Sequence, residues 1–136
     1  MKLQQKLEIG LFLIRFSTGI FFLVWSIEKL IFPEITQKVF SRFYFMEISP
    51  TISLAVGILQ TLIVLAFMAG LLKTWTYGAI LGMHAVSTLS TYQELLDPYR
   101  PPNHLFWAAV PLLAAIIALF ILRKEDNFLT IGKVKA

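Results

Sequence analysis

Seven side chains in this sequence have the chemistry to act within an apolar setting: Arg15, Glu28, Lys29, Gln60, His84, Tyr92 and His104. Arg15 supplies a permanent positive charge that could hold an anionic group or a ligand carbonyl; its blander use is snorkelling toward headgroup water. His84 could pass a proton or touch a ligand. Equally, a buried histidine is often held by a neighbouring polar group, and Gln60 is placed to be that partner. Glu28 and Lys29 are adjacent, so on a helix they diverge by about 100° and need not pair. They are either an interfacial anchor or inward-facing groups. Tyr92 and His104 join Glu94, Asp97, Tyr99 and Arg100 in a cluster of both charge signs. That cluster is an ordinary solvated rim or a polar mouth above a cavity.

Other chemistries find no residues. With no cysteine, thiolate metal sites, iron–sulfur clusters and disulfides are excluded. Zinc, nucleotide-loop, paired-carboxylate and triad patterns do not occur, so no metal site is expected. The two histidines fall at depths differing by about half the hydrocarbon thickness, which argues against a bis-histidine haem.

These side chains must be positioned by apolar helices. The chain has 136 residues, 57% hydrophobic and only 15% charged, against about 25% charged in soluble domains. Lipid is the natural solvent for it. Four stretches reach the roughly 20 residues needed to cross a bilayer: about 9–31, 51–72, 75–93 and 104–123. The first is too long for a signal-peptide core and ends in Trp25-Ser26-Ile27-Glu28-Lys29 with no small-x-small cleavage site, so it reads as a retained helix. The expected fold is an all-α membrane protein, a single membrane domain over 1–136. Its four-transmembrane-helix antiparallel bundle carries an amphipathic interfacial helix between spans one and two.

That interfacial helix is expected over about 34–47. Pro33 opens it, Ile35, Val39, Phe43 and Met46 form its apolar face, and Pro50 ends it. Lys73-Thr74 alone separates spans two and three, a tight hairpin. Three prolines between Asp97 and Asn103 impose a stiff turn. The tail after Leu122 is expected to be short and mobile. Helix packing should use small residues: Gly78 and Gly82 form a GxxxG pattern, for packing within the chain or for a homodimer face, and Pro111 should kink span four.

Basic residues set the orientation. Lys2, Lys6, Lys73, Arg123, Lys124, Lys133 and Lys135 share one side; the other has Lys38, Arg42 and Arg100, with Lys29 at a helix exit. The richer side is expected to be cytoplasmic, giving a multi-pass protein with both termini inside. The net charge of +4 is thus a topology and lipid-contact signal. No basic stripe interleaved with aromatics calls for nucleic acid.

The first span reads Arg15-Phe16-Ser17-Thr18-Gly19, then Lys29-Leu30 shortly before Pro33. This resembles the opening of the DoxX-like family of small four-helix bacterial membrane proteins. It departs from that pattern at Trp25-Ser26-Ile27-Glu28, where many members carry small residues. The resemblance implies a bacterial inner membrane and, in some relatives, a membrane subunit of a thiosulfate:quinone oxidoreductase or of other redox complexes. The leading expectation is a subunit that engages a quinone or an oxidoreductase partner in the bilayer, at most a non-autonomous part of an enzyme. Quinone is the cofactor expected, with nothing covalently attached. The alternatives are a structural or assembly membrane protein, and a small-solute or lipid transporter, against which stands the lack of an inverted repeat.

Overall fold

The computed structural model describes residues 1–131, and these are helical without strands. In chain order the helices are α1 (Leu3–Ile31), α2 (Pro33–Phe43), α3 (Pro50–Met68), α4 (Lys73–Ser90), the short α5 (Tyr92–Leu96), a 3₁₀ helix (Asn103–Ala108) and α6 (Ala109–Ile121). Three segments are long and apolar enough to cross a membrane: Leu3–Ile31, Pro50–Met68 and Asn103–Ile121. α4 is the most polar of the long helices. The long helices close a ring of contacts, α1 on α3, α3 on α4, α4 on α6 and α6 on α1. Leu11, Phe22, Val64, Phe67, Tyr77, Ile80, Ile116 and Leu119 make the shared core. Most other large apolar side chains face outward, as lipid-facing residues must.

Local chemistry moves several expected boundaries. α1 begins six residues before position 9, because the Lys2 backbone N–H donates to Gln5 Oε1 at 2.8 Å and closes a first turn. α2 stops at Phe43 rather than 47, since Phe45 sits at φ 54, a left-handed conformation that no α-helix continues. Pro50 starts α3 rather than only ending α2: it is the first helical residue, behind a Ser49 cap whose Oγ accepts from the Ile52 N–H at 3.2 Å. α3 ends at Met68, and the turn to α4 is residues 69–72, with Gly70 at φ 68 and Leu72 at φ 49. Lys73, expected in the loop, is the first residue of α4. The fourth expected span is two pieces, and the switch from 3₁₀ to α geometry falls at Ala109, two residues before Pro111. Proline removes an N–H there and perturbs the preceding turn.

The expected GxxxG packing is replaced by other glycines. A Cβ on Gly19 would lie 2.1 Å from Met68 Cγ, and one on Gly57 would lie 2.9 Å from Lys29 Cβ and Leu30 Cδ2. These two positions let α1 and α3 touch. Gly78 has only an ordinary neighbour, Phe120 Cε2 at 3.5 Å, and Gly82 has nothing within 4 Å. Gly19→Val should therefore cost about 1–3 kcal/mol by overpacking. Gly82→Ala should be neutral or gain up to about 1 kcal/mol from helix propensity. Unfolding of the two purified variants in one detergent checks the contrast; equal destabilisation would place the tight seam on α4 instead.

The tail is not loose. Residues 122–131 fold back against the helices, and the Ile131 N–H donates to the Ala69 carbonyl at 2.8 Å. Lys133 and Lys135, part of the charge bias read from the sequence, lie outside the described residues.

Candidate functional site

Two polar clusters lie among the helices, and they take up five of the seven expected site residues.

The first cluster holds Arg15. Twelve residues into α1, it stands roughly 18 Å along the axis from Leu3 and is 0% exposed. Its Nη1 is paired with Asp126 Oδ1. Its Nε donates to the Met68 carbonyl at 3.1 Å, and its Nη2 donates to the Phe128 and Leu129 carbonyls at 2.8 and 3.2 Å. Phe12 packs against the guanidinium, with its centroid 5.3 Å from Cζ. Asp126 is equally enclosed, and its second oxygen accepts from the Tyr77 hydroxyl at 2.5 Å. Lys73 Nζ donates to the Asp126 backbone carbonyl and to Asn127 Oδ1, the latter at 3.1 Å. Arg15 therefore neither snorkels nor faces a ligand: its donors are taken up by the tail and by the end of α3. Sequence reasoning missed Asp126, Lys73 and Tyr77. The available signal was that an arginine inside an apolar span demands a partner, and Asp126 is followed by Phe128, Leu129 and Ile131, which can follow it under the helices.

The second cluster lines a cavity of about 920 Å³ enclosed by α1, α2, α3, α4, the 3₁₀ helix and the start of α6. Its walls are mostly apolar, including Phe21, Phe22, Trp25, Phe40, Phe43 and Leu112. Four expected residues meet here: Glu28, Lys29, Gln60 and His84. Glu28 and Lys29 lie at the last turn of α1 and are half-buried; Lys29 Nζ donates to the Trp25 carbonyl at 3.4 Å. Gln60 sits in the middle of α3 and His84 two-thirds of the way along α4.

His84 is not held by Gln60. Its Nε2 lies 2.9 Å from the Ala109 carbonyl. A carbonyl can only accept, so Nε2 carries the proton, and in the neutral ring Nδ1 is an acceptor. The rings of Phe21 and Phe22 both stand edge-on to the imidazole, with centroids at 6.2 Å. Nδ1 has no hydrogen-bond partner among the described residues. Gln60 is only 9% exposed, and neither its amide nitrogen nor its oxygen meets a partner among those residues. Neither group counts among the fully enclosed unpaired atoms; that state belongs to Thr18 Oγ1. Both residues line the cavity.

Thr36 is the member that sequence reasoning missed. It is 3% exposed, lines the same cavity, and its hydroxyl has no partner among the described residues. The apolar face of α2 was expected at Ile35, Val39, Phe43 and Met46. The face turned to the cavity is Thr36, Val39, Phe40 and Phe43, while Ile35 is exposed. Val39, Phe43 and Met46 of the expected face do line the cavity; Ile35 does not, and Thr36 beside it does.

Tyr92 and His104 do not join this site. Tyr92 is exposed and borders a separate recess of about 240 Å³ beside Arg42 and Glu94, which pair at 3.3 Å across α2 and α5. With Arg42 largely solvated, that ion pair contributes little. His104 is exposed at the start of the 3₁₀ helix, outside both cavities.

Nearly all interior polar atoms of a folded chain find partners. The Thr36 hydroxyl, the Gln60 amide and His84 Nδ1, each without a partner among the described residues, line one apolar cavity, an arrangement that a bound molecule would complete. The chain itself offers no further assignment: no family model matches it, and neither the curated proteins nor the solved structures contain a match.

Proposed function

We propose that this chain is a four-span antiparallel membrane protein, both termini cytoplasmic in a bacterial inner membrane, that binds a lipid-soluble, oxygen-bearing ligand of the quinone class and serves as a membrane subunit of a redox complex. One observation carries the reading: an apolar cavity of ligand size lined by the Thr36 hydroxyl, the Gln60 amide and a His84 whose Nδ1 is unpaired among the described residues. Ligand pockets of roughly 300–1,000 Å³ with a few convergent polar groups in apolar walls are the usual form of such sites. The aromatic lining suits a ring, and the lipid-facing exterior suits a hydrocarbon tail. α4 is the polar crossing in this reading because its inner face supplies the cavity wall.

The DoxX-like opening of α1 adds a reason to choose a quinone among lipid-soluble ligands. The positive-inside bias of Lys2, Lys6, Lys73, Arg123 and Lys124 supports the orientation. Arg15 belongs in this reading to the scaffold, and Tyr92 and His104 to the outer rim.

Purification from the native membrane in mild detergent, with mass spectrometry of what remains bound, is the test. A quinone retained in near-stoichiometric amount, or an oxidoreductase subunit carried along, supports the proposal. A chain that emerges with bulk lipid alone transfers it to a structural or assembly role.

A further inference from the structure

The hydrogen-bonding character of the cavity says more than that a ring fits. Of its three polar lining groups Thr36, Gln60 and His84, two are ambivalent. The Thr36 hydroxyl and the Gln60 amide can each donate or accept, so each can meet a carbonyl or a hydroxyl. His84 cannot. Its Nε2 proton is committed to the Ala109 carbonyl at 2.9 Å, which leaves Nδ1 of the neutral ring able only to accept. The edges of Phe21 and Phe22 flank the ring, so no other protein donor approaches it.

A quinone carries carbonyl oxygens, which are acceptors. Set against Nδ1, such an oxygen leaves two lone pairs facing each other in an apolar enclosure. A hydroquinone carries the same ring with hydroxyls in place of carbonyls, and one of them can donate to Nδ1. Buried polar groups left unmatched are what separates otherwise isosteric ligands. The nearer charged groups do not reverse this preference. Lys29 Nζ gives one of its three protons to the Trp25 carbonyl at 3.4 Å and can offer the others to either form, since a hydroxyl accepts as a carbonyl does; Glu28, on the same lining, is an acceptor that only a hydroxyl can match.

We infer that the cavity is selective for the reduced, hydroxyl-bearing form of its ligand, with His84 Nδ1 as the group that determines the selectivity. This rests on the quinone-class reading above and extends it to the form that is bound. It invokes no electron transfer: the claim concerns which partner the site retains.

The experiment is equilibrium binding to the intact purified chain in detergent, without oxygen. Three probes share one ring and tail: a benzoquinone with a short alkyl tail, its near-isosteric hydroquinone, and the bulkier dimethyl ether of that hydroquinone, which keeps the oxygens but has no proton to donate. The hydroquinone is expected to bind about tenfold more tightly than the other two, the order of effect that one unmatched buried group produces. In His84→Phe the three affinities should converge. Should that variant fail to fold, the comparison of hydroquinone with the near-isosteric benzoquinone in the natural chain decides. Equal binding of all three probes to the natural chain overturns the selectivity while leaving the quinone-class site standing, as does a preference that survives His84→Phe. Failure of every probe to bind overturns both.

Discussion

Asp126→Ala is expected to lower the stability of the folded chain by about 3–5 kcal/mol, the largest loss of any single substitution outside the apolar core, because it strands a buried charge. Asp126 is the common partner of Arg15 and Tyr77, and its carboxylate is fully enclosed. Without it, Arg15 keeps three carbonyls but no counter-charge, and the Tyr77 hydroxyl loses its acceptor. The tail would lose its anchor at the same time, since Asp126 sits between the end of α6 and the strip of Phe128 and Leu129 that covers Arg15. Lys73 would retain the backbone carbonyl of residue 126 only if the tail stayed in place.

A companion variant separates charge from packing. Arg15→Met, Tyr77→Phe and Asp126→Leu together remove the cation, the hydroxyl and the anion. Buried ion pairs replaced by apolar groups of similar volume are often neutral to stability, so the triple variant should recover more than half of the loss. Denaturant unfolding in detergent, with cleavage of the tail by protease as a second readout, checks both. Unchanged unfolding in Asp126→Ala, or a triple variant worse than the single, would mean that the cluster does not hold the tail.

The contrast between this cluster and the cavity shows what the sequence could and could not convey. Helix positions were legible because lipid imposes a length and an apolarity that few other segments meet; α1, α3 and α6 follow from that alone. Boundaries slipped where single residues rule: Phe45 and Leu72 adopt left-handed conformations that their side chains do not announce. Glu28, Lys29, Gln60 and His84 were legible as a group because an ionisable or amide side chain in an apolar span needs a reason. Which partner each would find was not legible. His84 turned to a backbone carbonyl, a group every residue carries and no sequence pattern marks. Arg15 turned to an aspartate 111 positions away. Thr36 was hidden by its neighbour, since the more hydrophobic Ile35 was read onto the face that Val39, Phe43 and Met46 do form. The seam between α1 and α3 rests on Gly19 and Gly57, which form no motif together, whereas the GxxxG of α4 is a motif without a close contact.

Gln60→Leu is the substitution whose two effects should carry opposite signs. In the natural chain the amide is nine-tenths buried and unpaired among the described residues. Holding an amide out of water without partners costs about 1–3 kcal/mol. Leucine has a similar volume and no polar atoms, and it would face Phe22, Val56 and Leu112 across the same cavity. The ligand-free protein should therefore gain about 1 kcal/mol, less than the full cost because water entering the cavity already meets part of the amide's demand. Ligand binding should fall about tenfold, since the oxygen that the amide would meet is left in apolar surroundings. A residue kept only to hold helices together gives another pattern: its loss destabilises the chain and leaves the affinity unchanged. Paired measurements on one preparation, unfolding without ligand and affinity for the hydroquinone probe, read both signs. Higher stability with weaker binding identifies Gln60 as a group retained for its ligand at a cost to the fold. Lower stability with unchanged affinity would place it in the scaffold and empty the cavity of its second contact.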